Sequence, residues 1–109
     1  MFPYIDLDNG GTVEGMIAGL EAVAAAAGPD TRIIPGHGPL STRADVEASA
    51  QMLRETRQVI AALVEAGRTY EEILAADPLA DWHDAWNWRF ITTERMIWTH
   101  YRDLTGETP

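Results

Sequence analysis

The spacing of apolar residues changes several times along the chain, and each change predicts a secondary-structure element. From Val13 to Ala27 apolar positions recur every three or four residues, which is the period of one helix face, and Gly28-Pro29 ends the series. The same period returns from Val46 to Val64 and predicts a long helix that ends at Gly67. The chain should therefore be mostly helical.

Start and stop signals divide the C-terminal half into further helices. Two pairs resemble capping boxes, namely Thr42 with Asp45 and Thr69 with Glu72. A stop signal follows at Asp77-Pro78. They predict a short helix through Ala76 after the long one. A last helix is expected from about Thr93 to Leu104, whereas the aromatic stretch Asp81–Trp88 is expected to be irregular.

Two segments have the composition of strands. Met1–Asp8 contains Phe, Tyr and Ile and is expected to be a strand end that leads into a loop, and Thr31–Ile34 is expected to be a short buried strand. The predicted fold class is α+β, predominantly helical, with two short strands and about four helices in a single partial domain over residues 1–109. Because two strands cannot form a stable sheet alone, the chain is expected to be incomplete or to self-associate.

The overall charge limits the classes of partner. The 109 residues carry 17 acidic and 8 basic side chains, a net charge of −9, and no Lys/Arg cluster. Nucleic acids and anionic membrane surfaces attract basic faces, so neither is expected as a partner. The absence of cysteine excludes disulfides and thiolate metal sites, and the N-terminus resembles neither a signal peptide nor a spanning segment. A cytoplasmic location is expected.

The segment RIIPGHGPL, Arg32–Leu40, carries the main candidate for chemistry. A β-branched apolar run ends in a turn where Gly36 and Gly38 flank His37. Glycines without side chains let a ligand approach closely, and the neighbouring prolines stiffen the turn. A fixed imidazole suits a metal ligand, although a single histidine in a turn is more often a surface or hydrogen-bonded residue.

The context of this turn resembles a known family. DTRIIPGHGPLSTRADVE is similar to the C-terminal part of metallo-β-lactamase-fold hydrolases, in which a strand runs into a P-G-H-G turn and a long helix follows. FPYIDLDNGGTVEGMIAGLEAV resembles the segment before that turn, and the chain from TYEEIL onwards is similar to the closing helices of one branch. The resemblance covers nearly the whole chain.

This resemblance implies a fold, a cofactor and a reaction. It implies the C-terminal part of an αββα sandwich in which His37 binds the second of two zinc ions, and a metal-bound hydroxide attacks an ester, amide or thioester of a small molecule. The family motif H-x-H-x-D-H does not occur in this chain, and the bridging Asp of the family would precede Met1. Because a catalytic zinc needs about three protein ligands, the chain alone is expected to be inactive and to pair with an N-terminal half.

Another class of function fits the same sequence. The chain could be a non-catalytic helical interaction module derived from that fold, and unpaired strand edges with uncovered helix faces would then favour a homo-oligomer. A metal site built between chains from His37 and carboxylates is a weaker alternative.

Three polar residues near the turns are secondary candidates. Asp8 and Asn9 could form the rim of a substrate site, but Asp and Asn before Gly10-Gly11 are typical of ordinary turns. Ser41 is close enough to His37 in sequence to support it by a hydrogen bond, yet Ser41 and Thr42 are most simply helix N-caps.

The two remaining histidines have structural explanations. His83 lies among several tryptophans, where it could line a pocket or support a ligand, but packing on the core is the more common role of such clusters. His100, in the last predicted helix, is expected to face solvent or to make a hydrogen bond.

Overall fold

A computed structural model describes residues 1–34 and 41–109, and these residues form five α-helices and no strand. The helices are α1 (Val13–Ala26), α2 (Arg43–Glu65), α3 (Tyr70–Ala76), α4 (Ala80–Trp86) and α5 (Thr93–Thr105), and a 3₁₀ turn covers Leu7–Asn9. Within the described ranges no helix combines the length and the apolar content needed to cross a bilayer.

The predicted α+β fold class, with two strands and a sandwich-like arrangement, is wrong for the described residues. Phe2 and Ile5 are buried, but they belong to the core that the helices form. Ile33 forms only an isolated antiparallel bridge with Ser41. A strand requires hydrogen-bonding neighbours along its length, whereas apolar side chains can be buried equally well against helices, so strand-like composition did not produce a strand here.

The predicted capping boxes are confirmed. The Thr42 side chain accepts a hydrogen bond from the Asp45 backbone N–H, and the Asp45 carboxylate accepts one from the Thr42 N–H at 2.8 Å. Thr69 and Glu72 repeat this arrangement at the start of α3. These reciprocal bonds satisfy backbone donors that the first turn of a helix leaves without an intrahelical acceptor.

Helix α4 corrects the expectation that residues 81–88 are irregular. It forms without a side-chain cap, because Leu79 at the N-cap position offers no acceptor. Leu79 itself is fully buried. The helix is therefore fixed by packing, and its start lacks the local signal that marked the other helices.

Helix α2 is the central element of the fold. Its 23 residues make it the longest helix, and it packs against α1 and α5. Helices α3 and α4 and the 3₁₀ turn pack against α5. The core that these elements share includes the following buried side chains: Phe2, Val13, Met52, Leu53, Ile60, Ile73, Leu79, Met96 and Ile97.

The N-terminal segment is fastened to the connection between α4 and α5. The backbone N–H of Phe2 donates to the carbonyl of Trp86 at 2.9 Å, and Trp88 Nε1 donates to the carbonyl of Phe2 at 2.7 Å. The ring centroids of Phe2 and Trp86 lie 6.4 Å apart. These contacts join the two ends of the chain in one core.

Candidate functional site

The described residues on either side of residues 35–40 are held together by hydrogen bonds. The backbone N–H of Ile33 donates to the carbonyl of Ser41 at 2.7 Å, and the N–H of Ser41 donates to the carbonyl of Ile33 at 2.8 Å. Thr42 follows at once as the N-cap of α2. His37, the predicted zinc ligand, lies outside the described residues.

Ser41 is placed by its backbone. Its N–H and carbonyl both form the bridge with Ile33, and the capping role predicted for this pair of residues belongs to Thr42. Ser41 therefore fixes where the chain enters α2.

Asp8 and Asn9 connect the 3₁₀ turn to its surroundings. Arg102 of α5 donates a hydrogen bond to the Asp8 carboxylate at 2.8 Å. This hydrogen bond, and secondly the positive charge of Arg102, lower the pKa of Asp8. Asn9 Nδ2 donates to the Asp6 carboxylate at 2.8 Å. Gly10 closes the turn with φ of 91°, a conformation that glycine adopts readily. Asn9 thus makes a contact typical of a local turn, whereas Asp8 joins the turn to α5.

His83 links the end of α4 to the start of α5. Its Nδ1 hydrogen-bonds Thr93 Oγ1 at 2.7 Å, and the Thr93 N–H donates to Asn87 Oδ1 at 2.9 Å. His83 is exposed, whereas Thr93 is buried. These hydrogen bonds connect the end of α4 to the start of α5.

His100 is fully buried between α5 and α2. Its Nε2 lies 2.8 Å from Thr56 Oγ1. The Thr56 hydroxyl donates to the carbonyl of Met52 at 2.9 Å, so the hydroxyl oxygen is left to accept from Nε2–H. In this arrangement the ring proton is on Nε2 and Nδ1 presents a lone pair, whereas a hydroxyl that donated to Nε2 would place the ring proton on Nδ1.

A polar junction lies where α1, α2 and α5 meet. We define it as Arg57, His100 and Asp103. Asp103 Oδ1 accepts from the N–H of Val13 at 3.1 Å, and Arg57 pairs with Glu14 at 3.3 Å. Burial, and secondly the positive charge of Arg57, lower the pKa of His100 from about 6.5 to about 3. The junction thus holds a neutral histidine next to an arginine.

The polar junction was not predicted, although the sequence contains a signal for it. Thr56 falls on the apolar stripe of α2, between Leu53 and Ile60 at helical spacing, and His100 follows Ile97 by three residues on α5. A polar residue at a core position needs a buried partner. A polar residue at a core position on each of two helices therefore indicates a buried hydrogen-bonded pair.

The zinc that the family resemblance implies does not fit the described residues. In the described ranges no three His, Asp or Glu side chains are grouped so that they could hold a metal ion. His83 and His100 each hydrogen-bond a threonine, and Arg57 beside His100 disfavours a cation there. A zinc site that used this chain would need ligands beyond those described.

Helix α1 presents an uncharged apolar surface, which we call the α1 outer face. It consists of the exposed residues Gly15, Ala18, Gly19, Ala22, Val23, Ala25 and Ala26. At 3.6 residues per turn these positions cover about half of the helix circumference. The two acidic residues of α1, Glu14 and Glu21, pair with Arg57 and Arg54 of α2. The charges of α1 are therefore directed to α2, and the outer face carries none.

A shallow depression lies at the start of α5. Its volume is about 270 Å³, and its lining residues are Tyr70, Thr92, Glu94, Arg95 and Trp98. The Arg95 guanidinium lies 4.1 Å from the centre of the Trp98 ring. The volume is slightly smaller than that of a typical small-molecule site, and Arg95 already has Trp98 as its partner.

No family model, curated protein or solved structure matches the chain. The function must therefore be argued from its own residues.

Proposed function

We propose that this chain is the C-terminal segment of a zinc-dependent hydrolase of the metallo-β-lactamase superfamily. His37 supplies one metal ligand, and a preceding N-terminal half completes the site. The observation that carries the proposal is the sequence P-G-H-G within RIIPGHGPL, after which the chain enters the long helix α2. The substrates of such a protein are small-molecule esters, amides or thioesters.

The geometry on either side of residues 35–40 supports this proposal. The Ile33–Ser41 bridge joins the two flanks of the motif, and the Thr42–Asp45 capping box begins α2 immediately afterwards. Helices α1 and α2, which precede and follow the motif, pack against each other. The motif thus lies in a connection between two packed helices, and a rigid base of this kind favours a well-positioned ligand.

The α1 outer face supports the idea that the chain has a larger partner. A contiguous exposed apolar face often marks a site of contact with another protein surface. In the described part of the chain α2 covers only one side of α1, and the outer face remains exposed. An N-terminal half packed on this face would remove it from water.

The proposal assigns no hydrolytic step to the chain by itself. A catalytic zinc is held by about three protein ligands, and the described residues contain no such group. The isolated chain is accordingly inactive, and activity requires the ligands of the N-terminal half.

The decisive experiment begins with the coding sequence upstream of Met1. We expect the same reading frame to encode H-x-H-x-D-H, and the longer protein to bind zinc and to hydrolyse p-nitrophenyl acetate. In that protein His37→Ala should lower both bound zinc, measured by elemental analysis, and the hydrolysis rate by roughly tenfold or more. His83→Ala is the matched control and should preserve both.

Two results would contradict the proposal. One is an upstream sequence without that histidine motif. The other is a His37→Ala protein that retains its zinc and its activity.

The α1 outer face also favours a second candidate, a module that self-associates through this face. The measurement is the mass in solution by light scattering as the chain concentration rises. Ala22→Arg places a charge in the centre of the face and should shift an oligomer to the monomer. Ala62→Arg on the exposed side of α2 is the control. A wild-type chain that remains monomeric at the highest concentration would eliminate this candidate.

A further inference from the structure

The polar junction contains two buried polar atoms that need partners. Arg57 Nε and His100 Nδ1 are both shielded from solvent, and within residues 1–34 and 41–109 neither has a hydrogen-bond partner. Buried polar groups in folded proteins nearly always have one, either in the protein or in ordered water. The two atoms therefore call for an explanation.

The two atoms have complementary roles. Arg57 Nε carries a hydrogen and can only donate. His100 Nδ1 is an acceptor when the Thr56 hydroxyl donates to the carbonyl of Met52, because the ring proton is then on Nε2. The junction thus offers one buried donor and one buried acceptor, and both lie where α2 meets α5.

A third group of the junction lies at a distance suited to a bridge. Asp103 Oδ2 is 4.0 Å from Arg57 Nε, which is too long for a direct hydrogen bond. A polar contact longer than about 3.5 Å can be bridged by one water molecule. The other oxygen, Asp103 Oδ1, is already used by the N–H of Val13.

We propose that the polar junction is a binding site for one internal water molecule that joins α2 to α5. The water accepts from Arg57 Nε–H and donates its two hydrogens to His100 Nδ1 and Asp103 Oδ2. It thereby makes three hydrogen bonds, the usual number for a buried water. It also connects, through Asp103, to the first turn of α1.

The charges facing His100 come from all three helices around it. They are Arg57 on α2, Asp103 on α5 and Glu14 on α1, the last through its ion pair with Arg57. Arg57 is balanced by the two carboxylates, so a neutral ligand with both donor and acceptor capacity fits the junction. Water has this chemistry, whereas a bare cation or anion would meet a like charge.

The test is a high-resolution crystal structure of the 109-residue chain, together with NMR of His100. We expect a water within about 3.2 Å of Arg57 Nε and His100 Nδ1, a ring proton on Nε2 and a slowly exchanging water signal at this ring. Arg57→Lys, which removes Nε, should lose that signal, whereas Arg54→Lys on the same helix should retain it.

Two results would overturn the proposal. A direct hydrogen bond between Arg57 Nε and His100 Nδ1 would leave no place for the water. A ring proton on His100 Nδ1 would mean that this nitrogen cannot accept a hydrogen bond from the water. NMR of the wild-type chain detects this ring proton, so the result does not depend on crystals of either variant.

Discussion

At the scale of single residues, two polar side chains lie at core positions of α2 and α5 and meet each other. Thr56 would leave a hydroxyl in the core of α2, and His100 would leave an imidazole in the core of α5. Their hydrogen bond of 2.8 Å satisfies the Thr56 hydroxyl and one ring nitrogen of His100. An unsatisfied polar group in such a place costs about 1–3 kcal/mol, so the pair specifies how α2 and α5 align.

The buried histidine predicts a dependence of stability on pH. In the folded chain the pKa of His100 lies at about 3 instead of about 6.5, so below pH 6.5 the unfolded chain binds a proton that the folded chain does not. The free energy of unfolding should therefore fall as the pH drops from 7 to 5, with a contribution of up to about 1.4 kcal/mol per pH unit.

The measurement is urea unfolding at pH 7, 6 and 5. His100→Gln should lower the slope against pH, because the substituted side chain does not titrate. Equal slopes for wild type and His100→Gln would show that His100 does not remain neutral in the folded chain.

At the scale of elements, the helices fall into two groups according to how they begin. Helices α1, α2, α3 and α5 each start after a threonine whose side chain accepts from a backbone N–H three residues later. Helix α4 has no such residue. The capped helices were predictable from short segments, while α4 depends on the burial of Leu79 and on contact with α5.

The capping box of α2 should contribute measurably to stability. Thr42→Ala removes the side-chain oxygen that accepts from the Asp45 N–H, and it should lower the free energy of unfolding by about 1 kcal/mol. Thr42→Ser keeps that oxygen and is the matched control. Thermal unfolding of both variants provides the measurement, and equal losses in the two would show that the methyl group, rather than the cap, accounts for the effect.

At the scale of the whole molecule, one core includes residues from both ends of the chain. Phe2 is fully buried and is bonded through its backbone to the connection between α4 and α5. Ile97 of α5 belongs to the same core. The N-terminal segment therefore stabilises the packing of the C-terminal helices.

Removing the Phe2 ring should destabilise the whole fold. Phe2→Ala should lower the free energy of unfolding by about 3–5 kcal/mol, which is a large part of the stability of a small domain. Phe2→Leu keeps most of the apolar volume and should cost less than about 1.5 kcal/mol. The measurement is urea unfolding followed by tryptophan fluorescence, because Trp86 lies beside the Phe2 ring. A Phe2→Ala chain as stable as the wild type would show that this segment is not part of the core.

The sequence by itself determined four helices, both capping boxes and the end of α3 before Asp77-Pro78, because each depends on residues only a few positions apart. The tertiary structure decided that Phe2 and Ile5 pack against helices instead of forming a strand. It also decided that α4 forms and that His100 is buried against Thr56. These outcomes depend on contacts between residues far apart in the chain, and local periodicity contains no information about which distant surface a side chain will meet.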